Sequence, residues 1–469
     1  MRLNVASTYP AKRTHEGAIA SQISSINELR RSVLACLLWE DTFYENGQSI
    51  AERIVKNALT VDPFDLASLA IEARQKFHLR HVPLLLLTCL FKTGKGIPFL
   101  TRNTIESVVS RPDEMAELIS IYWKDGKKPI PYSVHKGLRQ ASQKFDTYQL
   151  NKWDRDGDIK LRDVVFLSHI NFPDIERASL VANIVNKSFF PEATKGGFSP
   201  RRELSLDGEP RPPTPETWEA LIAAAGSNRQ VRKDIWEDLL KRNLQRASGG
   251  FGYLAVLRNL RNMAEDGVNN QLIENVLEAR IGAKRVLPFR FIQAAKITPQ
   301  FFRALDNALK GCVVSQEGLS GTTAVCVDCS GSMQMPISSQ SQVTRHEAAA
   351  AIAGCINGRT RLVAFGQLAK EVPPIQGLGI LHALGMANVG HATNAHLAID
   401  LVNNMKPLPD RVIVITDEQV TQALPKPLHM KGYIINVAAY QNGIGYGDYT
   451  KLDGFSASTL DYIRESESC

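Results

Sequence analysis

Five oxygen-bearing side chains set the first chemistry that this chain could do. In VCVDCSGSMQMP (325–336), Asp328, Ser330 and Ser332 stand at alternate positions straight after an apolar run. A carboxylate and two hydroxyls so spaced suit one hard cation, and Mg²⁺ needs few protein oxygens because it keeps several waters. Thr393 in GHATNAH (390–396) and Asp417 in VIVITDEQ (412–419) offer two more donors of the same kind. The expected cofactor is therefore a divalent cation, Mg²⁺ first, with Mn²⁺ or Ca²⁺ as alternatives. The bland reading is a serine-rich turn with no metal. Cys326 and Cys329 raise a thiol alternative at C-x-x-C spacing. A redox pair would open a helix, where the dipole lowers a thiol pKa, and structural zinc would need a second ligand pair. Neither condition is met, so Cys326 is expected in the core and Cys329 in the turn.

A second group could bind a polyanion. VHKGLRQASQKF (134–145) read as a helix puts Lys136, Arg139 and Lys144 on one broad face, with Gln140 and Gln143 between them. Such a face offers phosphate contacts that make affinity salt-dependent. Lys152, Trp153, Arg155 and His169 follow, and unpaired bases could stack on Trp153 or His169. Asp154, Asp156 and Asp158 weaken a purely electrostatic contact. The alternative is a solvated helix face with Trp153 in the core. Arg258 and Arg261 in LRNLRNM (257–263) also share a helix face, where packing against a neighbouring carboxylate is an equal reading. Arg80 and His81 beside Pro83 read as shaping a helix start.

These side chains need elements to hold them. After residue 312, TTAVCVDCS, RLVAFG, RVIVITDEQ and GYIINVAAY read as short strands. The helical stretches RHEAAAAIAGCING, NAHLAIDLVNNM and ASTLDYIRE lie among them. Alternating strand and helix implies a parallel sheet covered on both faces, with ligands at the C-terminal strand ends. Asp328 and Asp417 both fall there. Residues 20 to 310 read instead as helix after helix, broken by Gly, Pro or Asp, in the manner of an α-solenoid without a strict repeat. PEATKGGFSPRRELSLDGEPRPPTPE (191–216) is expected to be an exposed loop.

The chain has 469 residues, 44% hydrophobic and 22% charged, which suits a soluble protein of two or three domains. Its longest apolar candidate, VPLLLLTCLF (82–91), is too short for a membrane span, and the first residues lack the apolar core of a secretory signal. Seven scattered cysteines do not form a disulfide framework, so a cytoplasmic location is expected. The net charge of +7 is uneven. Residues 301–469 hold 12 Lys+Arg against 14 Asp+Glu (−2), leaving 43 against 34 (+9) in the first 300. A basic first part fits a polyanion partner.

Asp328, Ser330, Ser332, Thr393 and Asp417, in this order and on these strand ends, resemble the von Willebrand factor A domain and its metal-ion-dependent adhesion site. In that family a partner's acidic group or water completes the coordination. The helical part resembles the TROVE module through LRRSVLACLLWEDTFYENGQSIAERI (29–54), LRHVPLLLL (79–87), LRDVVFLSHI (161–170), TPETWEALIAAAG (214–226), LAVLRNLRNM (254–263) and LPFRFIQAAK (287–296). TROVE followed by an A domain looks like a Ro protein of the bacterial or phage kind.

The resemblance implies an all-α ring of HEAT-like helical repeats over residues 1–310, closed by an α/β doubly wound A domain over 311–469. It also implies binding of noncoding RNA, with single-stranded 3′ ends of misfolded RNA in a central hole and Y-like RNA on the basic outer surface. On the family's pattern Arg155 and His169 match an arginine and a histidine that contact Y RNA. Lys152 is the nearest lysine, one residue off. An exoribonuclease partner through RNA, an acidic protein ligand at the metal site, no membrane and a monomer complete the expectation. With no P-loop, H-E-x-x-H or nucleophile elbow in the sequence, the expected protein is a non-catalytic one in RNA quality control. The rival readings are a metal-dependent adhesion scaffold and a Mg²⁺-dependent phosphohydrolase.

Overall fold

The computed structural model describes residues 25–34, 46–154, 157–189, 217–245, 251–283, 286–314, 318–339, 341–438, 448–454 and 458–468. Arg155 and the expected loop at 191–216 lie outside these residues.

In chain order the described helices of the first part are α1 (Ser25–Leu34), α2 (Gly47–Ala58), α3 (Pro63–Gln75), α4 (His81–Thr93), α5 (Pro98–Val108) and α6 (Pro112–Tyr122). They continue with α7 (Tyr132–Ser142), α8 (Thr147–Lys152), α9 (Leu161–Ser168), α10 (Ile175–Phe189) and α11 (Trp218–Ala225). Then come α12 (Arg229–Gln245), α13 (Tyr253–Glu265), α14 (Asn270–Ala279), α15 (Phe289–Ile297) and α16 (Phe302–Val314). Local chemistry sets many of the ends. NTIESVVSRPDEMAELISIYW reads as one helical stretch, yet Pro112 divides it. Arg111 before it is extended (φ −143°, ψ 148°), and Pro112 then opens α6 at a position where its missing N–H costs nothing.

Two compact units divide the chain: residues 55–223, and residues 1–54 together with 224–469. In the first, α3 packs on α4 and α5, α4 on α6, α5 on α7, and α7 on α9. Helices α3, α4, α5 and α7 thus each meet the next helix but one, as in stacked helix pairs. At Gly137 of α7 an added Cβ would sit 2.8 Å from Ile105 of α5. In the second unit, α12 packs on α14 and α14 on α16, while α13 packs on α15. Helix-rich chain followed by a six-stranded mixed sheet is the fold class expected from the sequence. No described helix is long and apolar enough to cross a membrane.

The sheet comprises β1 (Thr322–Asp328), β2 (Arg359–Phe365), β3 (Ala369–Val372), β4 (Arg411–Thr416), β5 (Lys431–Asn436) and β6 (Thr450–Asp453), in spatial order β3-β2-β1-β4-β5-β6. Only β3 runs antiparallel. It and β6 are the two strands the sequence hid, being four residues long and partly charged. The sheet grows from β1 to β2 in one direction and then resumes with β4 on the other side of β1. The strand order therefore switches between β1 and β4, the place where sheets of this kind open a ligand crevice.

The intervening helices are α17 (Arg345–Gly354), α18 (Ile380–Met386) and α19 (Ala395–Asn403), and α20 (Ser458–Ser468) follows β6. Ala324, Cys326, Val363, Phe365, Val412 and Val414 pack with Ala395, Ala398, Ile399 and Val402 of α19 in one core. Strand period two sends these residues to one face. Helix α17 packs on β1 and β4 as well, and α1 contacts β6.

Candidate metal centre and nucleic-acid interface

The three oxygen-bearing stretches meet at the switch point. β1 and β4 pair in parallel with Val327 opposite Ile415, which brings Asp328 beside Thr416. The Thr416 hydroxyl donates to Asp328 Oδ2 at 2.6 Å, and the Ser330 amide donates to Asp328 Oδ1 at 2.9 Å. The hydroxyls of Ser330 and Ser332 lie 3.3 Å apart. Backbone bonds then pull in the third stretch. Gly331 N donates to His391 O (2.9 Å), Asn394 N to Gly366 O (3.0 Å) and Leu368 N to Val389 O (2.9 Å). Gly366 has to be glycine for this crossing, because a Cβ there would stand 2.3 Å from Gly390 O. Thr421 N reaches Thr393 O at 3.4 Å and ties the loop after Asp417 to Thr393.

Asp328, Ser330 and Asp417 are fully buried and Thr393 nearly so, while Ser332 is half-buried. Burial, and next the charge of Asp417, push the Asp328 carboxyl up to about 7. Hydrogen bonds from Thr416 and Ser330 work against that rise. An Arg345 guanidinium nitrogen lies 3.7 Å from Asp417 Oδ2, and both carboxylates are buried.

Arg345 is a member of this cluster that sequence reasoning missed. It opens α17 behind a capping box in which the Thr344 hydroxyl accepts from Glu347 N (3.1 Å) and the Glu347 carboxylate from Thr344 N (3.0 Å). A cation in the first turn opposes the helix dipole, so a buried arginine there signals a nearby anion. It donates to Ser332 O at 3.2 Å. Glu418, next to Asp417, is also buried and adopts a left-handed φ of 59°. Its carboxylate pairs with Arg31 of α1 and with Lys451 (3.1 Å), which also reaches Asp453 (3.4 Å).

The cysteines take the expected places. Cys326 is fully buried and Cys329 almost so; both are free. Burial raises both thiols, that of Cys329 to about 12 with Asp328 adding to the rise. Among the described residues no group of three or more His, Cys, Asp and Glu gathers at metal-binding spacing.

The polyanion candidates lie in the other unit and do not form one patch of free cations. Lys136 is exposed on α7 with its ammonium 4.9 Å from the Tyr132 ring centre. Arg139 is half-buried on the same helix. The His135 ring contacts Ser168 Oγ at 3.4 Å, and it is held below the ordinary histidine value by burial, then by Arg139 and His169. Thus α7 and the end of α9 bring His135, Arg139 and His169 within electrostatic reach of one another. His169 is exposed, with a left-handed φ of 48° that ends α9. Lys144 turns the other way and donates to the Glu106 and Val109 carbonyls at the end of α5. Lys152 pairs with Glu219 at 3.2 Å. One face of Trp153 carries the Arg111 guanidinium, 3.6 Å from the ring centre.

Residues 210–353 match the family model of the TROVE domain. That match begins ahead of α11, crosses β1 with Asp328, Ser330 and Ser332, and ends within α17. No curated protein sequence shows significant similarity to the chain. Among solved structures, the chain is similar to the crystal structure of the Deinococcus radiodurans Ro (RSR) protein. The TM-score is 0.56 and the identity 14%, over 94% of this chain and 98% of that one. At this identity the likeness is one of fold.

Proposed function

From a chain that carries a TROVE domain and has the fold of a Ro protein, we propose a non-catalytic RNA-binding protein of the Ro type. The TROVE match carries the reading, and the +9 excess in the first 300 residues supports it. The RNA expected is a structured noncoding RNA, including misfolded RNA with a single-stranded 3′ end and Y-like RNA. Lys136, Arg139 and His169 on α7 and α9 are the contacts that the geometry favours. Lys144 and Lys152 have protein partners to give up first, and each would add an RNA contact only at that cost.

Asp328, Ser330, Ser332, Thr393 and Asp417 are proposed to hold a divalent cation. The fit rests on their chemistry: hydroxyls and carboxylates suit Mg²⁺, and a cation would offset the mutual repulsion by which Asp417 raises the Asp328 carboxyl. When bound, the ion would supply an open coordination position to an acidic group of a partner protein. Arg345 would orient Asp417, and Thr416 would orient Asp328. With a net charge of −2, the region from 301 onward is a poor RNA surface, so this site is assigned to a protein ligand.

Electrophoretic shifts test the RNA reading. A structured RNA with a 3′ tail should bind more tightly than the same duplex without one, and Arg139→Glu should weaken binding about tenfold, equivalent to about 1.4 kcal/mol. Equal binding of tailed and blunt RNA, or no effect of Arg139→Glu in a folded protein, would sink it. Asp328→Ala should leave RNA binding intact.

A further inference from the structure

Asp417 and Glu418 are neighbours in the chain, yet their carboxylates pair with different elements. Asp417 faces α17, with an Arg345 nitrogen 3.7 Å from its Oδ2. Glu418 meets Arg31 of α1 and Lys451 of β6. In the sheet, β1 flanks β4 on one side, and β5 and then β6 follow on the other. A left-handed Glu418 (φ 59°) makes the turn that parts the two side chains. A residue other than glycine keeps that conformation where its surroundings fix it, and here the partners of its carboxylate do so.

Hydrogen bonds carry this fixing into the cation site. The Thr416 hydroxyl accepts from Glu418 N at 3.1 Å and donates to Asp328 Oδ2 at 2.6 Å. Asp417 Oδ1 accepts from Gln419 N at 3.2 Å. Asp417, Glu418 and Gln419 are all fully buried, so a change at Glu418 has no slack to absorb it. Among the described residues, Arg31 and Lys451 balance Glu418 and Asp453. Without Arg31, one lysine would face two carboxylates.

Arg31 acts on a cation at Asp417 in two opposing ways. Its charge repels the cation, and its pairing keeps Glu418 turned inward. The repulsion is cancelled within the pair, because Glu418 neutralises the guanidinium. An uncompensated carboxylate in a dry interior is the larger effect, and it drives the turn toward water. Turning Glu418 outward rotates the backbone that carries Asp417 and takes the Glu418 amide from Thr416.

We propose that Arg31 is a positioning residue of the cation site. Seated on Glu418, it holds Asp417 and, through Thr416, Asp328 in place, so that seating of α1 and binding of the cation favour each other. The proposal rests on the cation reading of Asp328 and Asp417. It makes that sheet edge sense whether the N-terminal helix is in place.

The experiment uses the full-length protein and Mg²⁺ alone. In titration calorimetry, Arg31→Met should bind Mg²⁺ about tenfold more weakly than wild type. Adding Glu418→Gln should recover part of that loss, because the uncompensated carboxylate is gone. Arg411→Met controls for general destabilisation. It breaks a buried pair with Glu467 at the other end of β4, and should leave Mg²⁺ affinity within about twofold of wild type. Hydrogen exchange needs no variant. By reciprocity, saturating Mg²⁺ should slow amide exchange in α1 about tenfold and leave α3 to α7 unchanged. Unchanged or tighter Mg²⁺ binding by Arg31→Met overturns the proposal, and tighter binding would make Arg31 a repelling charge only. So does exchange in α1 that ignores Mg²⁺, which decides the matter where Arg31→Met does not fold. Should Asp328→Ala abolish Mg²⁺ binding while Arg31→Met leaves it intact, this proposal alone fails. A wild type that binds no Mg²⁺ sinks the cation reading and this proposal with it.

Discussion

The guanidinium of Arg31 on α1 meets the buried carboxylate of Glu418, the residue that follows Asp417. An N-terminal helix thereby holds the loop that carries Asp417, the second carboxylate of the proposed metal site. Removing one partner of a buried pair leaves the other uncompensated, which typically costs about 3–5 kcal/mol. Arg31→Met should therefore lower the unfolding free energy of its unit by about that amount in urea denaturation. Adding Glu418→Gln should restore part of it, giving a coupling energy above about 1 kcal/mol in the double-mutant cycle. Strict additivity of the two changes would rule the clamp out.

Metal should act as a stabilising ligand. At a free Mg²⁺ concentration about 100 times its dissociation constant, wild type should gain about 2.7 kcal/mol. The corresponding rise in melting temperature is a few degrees. Asp417→Asn should lose the rise while keeping its far-ultraviolet circular dichroism. Thr416→Val should reduce it, because Asp328 loses a 2.6 Å orienting bond.

Asp266 predicts a pH dependence. Its carboxylate accepts hydrogen bonds from Arg232 (2.6 Å at the shortest) and from the Trp236 indole (3.0 Å). The Arg232 bonds above all, and then Trp236, hold its carboxyl below the unfolded value of 3.8. A carboxyl with a depressed folded pKa contributes stability that is fully present above 3.8 and is lost as pH falls through the folded value. Asp266→Asn should cost about 2 kcal/mol at pH 7. The difference between variant and wild type should shrink as the pH drops below 3.8, measured by urea midpoints from pH 7 to pH 2.5.

Lys144 should behave as a structural residue. Its ammonium ends α5 through two carbonyls, so Lys144→Met should destabilise unit 55–223 by about 1 kcal/mol. Lys136→Met, on an exposed site, should change stability by less than about 0.5 kcal/mol and weaken RNA binding more than Lys144→Met does.

The thiols of Cys326 and Cys329 should resist labelling. Burial raises both, so iodoacetamide at pH 8 should modify neither in the native protein and both in guanidinium. A zinc chelator should leave the melting temperature unchanged.

The gathering of Asp328 and Asp417 at one sheet edge was legible in the sequence because its signals are local. Asp328 and Asp417 each end an apolar run, and a parallel sheet carries such ends to one side. Their partners were not legible. Thr416 lies 88 residues from Asp328 and meets it only through strand register. Arg31 and Glu418 are 387 residues apart. β3 and β6 escaped because four residues with charges among them carry no period-two pattern. The stretch 134–145 was read as one helix with Lys144 on its basic face, whereas α7 ends at Ser142 and Lys144 lies beyond it. Spacing along one helix says nothing of a carbonyl on another helix 35 residues earlier. The TROVE match crossing into β1 and α17 likewise has no counterpart in the change of texture near residue 310, which marks element type rather than compact units.

The discontinuous unit, residues 1–54 with 224–469, imposes an order on biosynthesis. The segment 55–223 is continuous, so all of it is made before residue 224. Glu418, the partner of Arg31, is translated 387 residues after it, and β6, which contacts α1, later still. Until then α1 lacks both its contact with β6 and the carboxylate that pairs with Arg31. A chain stalled before β6 would leave α1 without that contact.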